Sequence, residues 1–302
     1  MDEVHSVIEA HKNVRFILSG SSAKKLKTSH TSLMAGRARQ IQIFPLSYIE
    51  VYGKDFNLLK FLQFGGLPEV YLSQNPWDLL KDYAGTYLAE EIMASAFVRK
   101  IENYSRFLEF AALSSGQVLN FENLASDAMI PGRTIKDYYQ LLEETLIGFQ
   151  LRPFRKKNSR KEISTSKFYF FDTGVLNAFI KRKNIKEKTP EFGELFEHFI
   201  FHEIKKYQSI NRLDWDLEFW RTHRQQEIDF VLNSGEILIE VKATKKLTND
   251  HIKILRDYKS EFQNCKRRIV VCRVEKKEII DGIEIYPWDQ FIIELWSNKI
   301  IY

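Results

Sequence analysis

Asp229, Glu240 and Lys242 lie in two runs that alternate between polar and apolar residues, Glu227-Ile-Asp-Phe-Val-Leu232 and Ile237-Leu-Ile-Glu-Val-Lys242, joined through Asn233-Ser-Gly235. A period of two is the signature of β-strands, and the Gly-containing break between the runs predicts a hairpin. In that hairpin Ile228, Phe230 and Leu232 share one face and Asp229 lies on the other. Ile239 and Val241 likewise share a face, opposite Glu240 and Lys242, so one side of the sheet collects two carboxylates and an amine. Two carboxylates suit Mg²⁺ or Mn²⁺, hard cations that prefer oxygen ligands and retain several waters. Such an ion lowers the pKa of a bound water and stabilises charge on a phosphodiester. Lys242, two residues beyond the second carboxylate, is placed to orient the attacking water or to meet developing negative charge. The competing reading is a hairpin with one apolar and one solvated, charged face, a pattern that many chains share by chance.

The surrounding elements narrow the choice. An amphipathic helix over residues 191–207 and a strand, Leu217-Glu-Phe-Trp-Arg221, precede the hairpin. A helix over 249–261 and an apolar strand, Arg268-Ile-Val-Val-Cys272, come after it. This order resembles the core of the PD-(D/E)XK nuclease-like superfamily, found in restriction enzymes and archaeal junction resolvases. The resemblance implies a restriction-endonuclease-like α/β domain over 186–302, with Asp229 and Glu240-Val-Lys242 as its motif and Ile228-Asp229 in place of the leading Pro-Asp pair. In the 191–207 helix, Leu195, Phe196, Phe199, Ile200 and Tyr207 form an apolar stripe, with Glu203 inside it and Glu197 at its edge. A carboxylate on a buried face is costly unless paired or metal-bound, which makes both candidates for a third acidic ligand. Glu203 has the alternative of pairing with Arg221 or Lys242; the Phe196-Glu197 position matches the family pattern and favours Glu197. The expected set is therefore Glu197, Asp229 and Glu240 on the metal, with Lys242 assisting water attack on DNA. His198 and His202 are four apart but lack the Glu that follows the first His in zinc proteases, and Cys265 and Cys272 have no CxxC partners, which argues against zinc.

Upstream, residues 53–185 read as a helical connector and a winged helix-turn-helix. Phe64-Gly-Gly-Leu-Pro68 is a turn between helices, and 77–97 has a long helical pattern. Helices over 106–115, 122–127 and 133–145 lead to a strand over 146–155 and a returning strand over 167–171, three helices and a hairpin. Thr134, three before Asp137, forms a weak capping arrangement. As a DNA-contacting module it would begin its recognition helix with Arg133, Thr134 and Lys136. Its wing tip, Arg155, Lys156, Lys157, Arg160 and Lys161, would meet phosphates. The equal alternative is a solvated hairpin on a module used for domain packing, with Tyr138 and Tyr139 buried. Asp172-Thr-Gly174 resembles a family feature with no evident chemistry.

Residues 1–52 resemble the second half of an AAA+-type (P-loop) ATPase domain. They contain a helix over 2–12, a buried strand Val14-Arg-Phe-Ile-Leu18, then Ser19-Gly-Ser-Ser22, Leu33-Met-Ala-Gly-Arg37 and Phe44-Pro-Leu46. The whole chain resembles a prokaryotic family that joins this ATPase domain to a C-terminal domain of unknown function. No G-x-x-x-x-G-K-[ST] occurs, so the phosphate-cradling loop is missing and no ATP is expected for this chain alone. Asp2 and Glu3 read as first-turn helix acids rather than a Walker B pair. The resemblance implies that Ser19 and Arg37 are what remains of a sensor position and of a trans-acting arginine. The chain is expected to begin downstream of both nucleotide motifs, as a truncated form that assembles as a homo-oligomer or with a partner ATPase chain.

Composition sets wide bounds: 302 residues, 44% hydrophobic, net charge +5 and two cysteines. That is an ordinary, mildly basic α/β multidomain chain without a disulfide framework, compatible with DNA but not specific for it. There is no membrane-length apolar run and no signal segment, so a cytoplasmic location is the default. Two functions are open. One is a Mg²⁺-dependent endodeoxyribonuclease. The other is a non-catalytic DNA- or protein-binding module that partners an ATPase.

Overall fold

The computed structural model describes residues 6, 7, 10, 11, 13–17, 39, 41–87, 101–155, 165–258 and 261–301. Helices α1 (Tyr48–Val51), α2 (Leu58–Phe64), α3 (Pro68–Leu72) and α4 (Pro76–Asp82) come first, the last running into a π turn over Tyr83–Tyr87. Helices α5 (Ile101–Leu113), α6 (Phe121–Ala128) and α7 (Gly132–Glu144) precede strands β1 (Gly148–Pro153) and β2 (Lys167–Phe170) and helix α8 (Thr173–Phe179). Then come α9 (Pro190–Ile210), β3 (Leu217–Arg221), β4 (Glu227–Leu232), β5 (Ile237–Lys242), α10 (Asn249–Asp257), β6 (Arg267–Cys272), β7 (Glu278–Ile280), β8 (Ile283–Pro287) and α11 (Trp288–Trp296).

The strands form one mixed sheet in the order β2-β1-β3-β4-β5-β6-β8-β7. The β3–β4–β5 meander is antiparallel, and β5, β6 and β8 are parallel, with α10 supplying the crossover that a parallel β5–β6 pair requires. Phe230, Leu232, Ile239, Val241 and Val271 pack with Phe199 of α9 and Phe291 of α11. Val231, Leu238, Val270 and Cys272 pack on the opposite side with Ile252 and Leu255 of α10. A sheet covered on both faces buries its central strands throughout. The hairpin therefore has no solvated face: Asp229 is 6% and Glu240 4% exposed.

One detail of β4 differs from strict alternation. Two steps on β3, Glu218 to Trp220, face three on β4, Val231 to Ile228, so β4 carries a bulge beside Asp229. The extra residue reverses which face the neighbouring side chains take on its far side. Ile228 consequently packs with Trp220 and Leu238, on the side away from Phe230 and Leu232, instead of sharing their face.

The three-helix-plus-hairpin order of residues 101–170 is present, but the hairpin is not free-standing over its described residues. β1 pairs with β2 on one edge and with β3 on the other (Arg152 opposite Glu218), and every residue of β2 is buried. α7 starts at Gly132 with Pro131 as its N-cap and no side-chain cap, so the expected Thr134–Asp137 cap is not used. Tyr138 and Tyr139 are buried. The long helix expected over 77–97 is interrupted by the π turn at Tyr83, and residues 88–97 lie outside the described residues.

Asp172-Thr-Gly174 acquires a structural role. The Asp172 carboxylate accepts the Val175 N–H at 3.0 Å, capping α8, and the Gly66 N–H at 2.8 Å. A Cβ on Gly65 would fall 2.0 Å from Asp172 Oδ1, and one on Gly174 would fall 2.1 Å from the Phe64 carbonyl. The two glycine turns thus interlock backbone to backbone.

The buried strand expected at Val14–Leu18 is not formed over its described part. Val14, Phe16 and Ile17 are 42%, 41% and 96% exposed, and no described strand pairs with them to satisfy their backbone. Leu18, Ser19–Ser22, Leu33–Arg37, Asp2 and Glu3 lie outside the described residues.

Candidate functional site

The bulge in β4 places the first carboxylate. Register between β4 and β5 runs to Phe230 opposite Ile239; beyond it, Asp229 Oδ2 accepts the Val241 N–H at 2.7 Å, taking up a donor that the ladder leaves free. Glu240 and Lys242, i and i+2 on β5, make an ion pair at 2.5 Å. The other Glu240 oxygen, Oε2, is buried without a hydrogen-bond partner. Glu197 comes from α9, whose start is fixed by Pro190 at the first turn and by Thr189, which accepts the Phe192 N–H. Glu197 accepts from the Tyr169 hydroxyl at 2.6 Å and from Lys167 Nζ at 3.1 Å.

Lys167 was not singled out by the sequence, yet it ties the site together. It is 2% exposed at the start of β2 and reaches Glu227 of β4 at 2.5 Å as well as Glu197, while Arg221 pairs with Glu227 at 2.9 Å. The signal available in the sequence was a lysine leading directly into Phe168-Tyr-Phe-Phe171, a position where an unpaired charge would be expensive.

The groups feel one another. Burial, then the charges of Glu240 and Glu197, push the Asp229 carboxyl well above the usual carboxylate range. Burial raises Glu240 too, against the opposing pull of Lys242. For Glu197, burial is outweighed by Lys167, Tyr169 and Lys242, which hold it below the ordinary value. Burial disfavours the Lys242 ammonium, but Asp229, Glu240 and Glu197 together raise its pKa, so it is fully protonated at neutral pH. The structure therefore brings Glu197, Asp229, Glu240 and Lys242 into one electrostatic cluster.

Other candidates are placed elsewhere. Glu203 pairs with neither Arg221 nor Lys242. It accepts from Tyr48 N at 3.0 Å and Trp296 Nε1 at 3.1 Å, beside Lys206 at 3.6 Å. Six residues along α9 from Glu197 amount to roughly 9 Å of axial rise, which removes it from the cluster. His198 and His202 are stacked, buried rings, and His198 meets the Phe170 carbonyl at 2.7 Å. Burial pushes His198 down to about 4, so it is neutral core packing. Arg133 and Lys136 are exposed and Thr134 is half-buried on the first turns of α7; Arg155 is exposed just past β1. Lys156, Lys157, Arg160 and Lys161 lie outside the described residues.

A cleft of about 860 Å³ borders the cluster at Glu197; Asp229, Glu240 and Lys242 do not line it. Lys167, Glu197 and Glu227 line it on the sheet side, Arg221 and His223 come from the β3–β4 turn, and Phe121 and Lys136 come from α6 and α7.

The donor chemistry of Asp229 and Glu240 suits a hard divalent cation: two buried carboxylates, the charge of Glu240 raising the proton affinity of Asp229, and one Glu240 oxygen without a hydrogen-bond partner. Mg²⁺ is commonly held by one or two carboxylates and completes its shell with water. Among the described residues no group of three His, Cys, Asp or Glu side chains is arranged to hold a metal. No described helix is long and apolar enough to cross a membrane.

Comparison with known proteins gives the wider setting. Residues 1–52 match an AAA domain, residues 55–186 a domain of unknown function (DUF8612) and residues 192–291 another (DUF4143). The chain is thus similar at its start to AAA-like ATPases. An uncharacterized protein of Haemophilus influenzae is 21% identical over 90% of this chain and 69% of its own length. One of Mycobacterium tuberculosis is 24% identical over 92% of this chain and 63% of its own, and one of Methanocaldococcus jannaschii 23% identical over 95% and 73%. No solved structure matches.

Proposed function

We propose that this chain carries a Mg²⁺-dependent site for cleaving DNA phosphodiesters, built on β4 and β5, in an AAA-like ATPase setting. The observation that carries the reading is the convergence of Glu197, Asp229, Glu240 and Lys242 from three elements, with a buried Glu240 oxygen left unpartnered. Asp229 and Glu240 would hold the ion. When bound, it would acidify a water and offset phosphate charge. Lys242, protonated, would donate to a phosphate oxygen or hold the water in line, acting as a cation and not as a base. Glu197, tied to Lys167 and Tyr169, would add negative charge beside Lys242 without serving as a third ligand. The exposed Arg133 and Lys136, with the basic tip beyond Arg155, would hold the DNA backbone.

Plasmid nicking in Mg²⁺ or Mn²⁺, compared among the unaltered protein, Asp229→Asn and Glu240→Gln, tests this. Equal nicking by all three would remove the catalytic claim. A second reading, a non-catalytic nucleic-acid- or protein-binding partner of an ATPase, draws on the ion pairs that already neutralise Glu197 and Glu240. It predicts DNA binding that is sensitive to salt but unchanged by EDTA and by Asp229→Asn.

A further inference from the structure

The cleft reaches the acidic cluster at its Glu197 and Lys167 edge, while Asp229, Glu240 and Lys242 lie behind its lining. It is bounded on one side by α6 and α7 and on the other by the β3–β4 turn. These walls are not free to separate. β1, the next element after α7, is hydrogen-bonded to β3, and the Phe154 N–H donates to the Phe219 carbonyl at 2.6 Å just beyond. A volume of about 860 Å³ is in the range of small-ligand pockets, roughly 300–1,000 Å³. A volume of that order suits a short segment of one strand.

The lining matches that shape. Phe121 presents a half-buried ring to the cleft, with Lys136 Nζ over it at 5.4 Å from the centroid. An aromatic ring with a cation beside a nucleic-acid path is how single strands are gripped without sequence preference, because every base has a face to stack. The side-chain amides of Gln117 and Gln225 add donors and acceptors for the open edge of an unpaired base. The charges set a further condition. Lys136, Lys167 and Arg221 face four carboxylates in the lining, and Lys167 and Arg221 are already ion-paired. A bare phosphate chain therefore gains little here until a divalent cation offsets the acids.

Resting on the nuclease reading above, we propose that the substrate class is single-stranded nucleic acid, a frayed end or an unpaired segment, threaded between α6–α7 and the β3–β4 turn with a base stacked on Phe121. DNA and RNA share this chemistry, and the experiment separates them.

Fluorescence anisotropy of the full chain would be measured with labelled oligothymidylate, the corresponding oligouridylate and a blunt duplex, each in Ca²⁺ and in EDTA. Expected is single-strand binding at least tenfold tighter than duplex binding, and weaker in EDTA. Phe121→Leu, which keeps apolar volume but loses the aromatic face, should weaken single-strand binding roughly five- to a hundredfold, from the known range of base stacking. Phe121→Trp should retain it, with unchanged melting temperatures checking that both variants fold. Duplex binding equal to or tighter than single-strand binding overturns the inference, as does unaltered binding by Phe121→Leu. The two readings fail separately. Asp229-dependent nicking of intact duplex with no single-strand preference sinks only this one. Single-strand preference with no Asp229-dependent cleavage sinks only the nuclease.

Discussion

Glu203 of α9 accepts the backbone N–H of Tyr48 at 3.0 Å, joining residues 155 positions apart in the chain. Tyr48 lies near the end of the segment, residues 1–52, that matches an AAA domain, and the helix that grips it also bears Glu197, six residues earlier, in the acidic cluster. Lys206, one turn on from Glu203, reinforces the grip by donating to the Leu46 carbonyl at 2.8 Å. One rigid element therefore touches both the end of the ATPase-like segment and the candidate site.

Removing that carboxylate should be costly. Glu203→Ala leaves a 3%-exposed Lys206 ammonium without its counter-ion and the Tyr48 and Trp296 donors without their acceptor. Loss of one partner from a buried pair costs about 3–5 kcal/mol. Urea unfolding should show a drop of that size, and a change under about 1 kcal/mol would mean that the clamp contributes little.

Lys167 should behave as a shared counter-ion. Lys167→Met leaves the half-buried Glu197 and Glu227 without their shared cation at the cleft wall, so it should destabilise by about 1–3 kcal/mol. Adding Glu197→Gln should then restore part of the loss, with a coupling energy of about 1–3 kcal/mol. A double-mutant cycle read by chemical denaturation would expose simple additivity, which this arrangement forbids.

Gly174→Ala should destabilise by about 1–3 kcal/mol through overpacking against the Phe64 carbonyl, which is backbone and cannot rotate away. Gly193 on α9, where an added Cβ meets nothing within 4 Å, is the matched control: Gly193→Ala should stabilise slightly, by a few tenths to about 1 kcal/mol. Thermal melts of the two variants should move in opposite directions.

Glu218 gives the fold a pH dependence. Burial, then the neighbouring Asp216, raise its carboxyl to about 7. The folded state therefore holds this proton more tightly than the unfolded chain. Its contribution is present below the ordinary carboxylate value of 4.5 and is lost as pH rises from there through about 7. Glu218→Gln should gain on the unaltered protein by about 1–3 kcal/mol at pH 8 and by almost nothing at pH 4. A gain of equal size at both would show that the effect is packing and not protonation.

Much of the site's scaffold was legible because it is local. The alternation on either side of Asn233, the apolar stripe of α9 and the apolar runs at 217–221 and 268–272 made the hairpin, its preceding helix, β3 and β6 readable. The bulge at Asp229 was not legible, since it exists only in the register of β4 against β3, and no residue type in β4 announces it. Lys167 was missed for a related reason: its partners lie 30 and 60 positions away, and strand propensity says nothing about them. The misreading of Val14–Ile17 as buried came from composition, which records that a stretch is apolar but not whether anything covers it.

The joining of β1 to β3 bears on how the protein can be dissected. A fragment starting at residue 186 would leave β3 with a raw edge, available to any passing backbone, and would discard the amine that keeps Glu197 and Glu227 at peace. A failure of so short a piece to cut DNA would report the damage done by the scissors and not the chemistry of the intact chain.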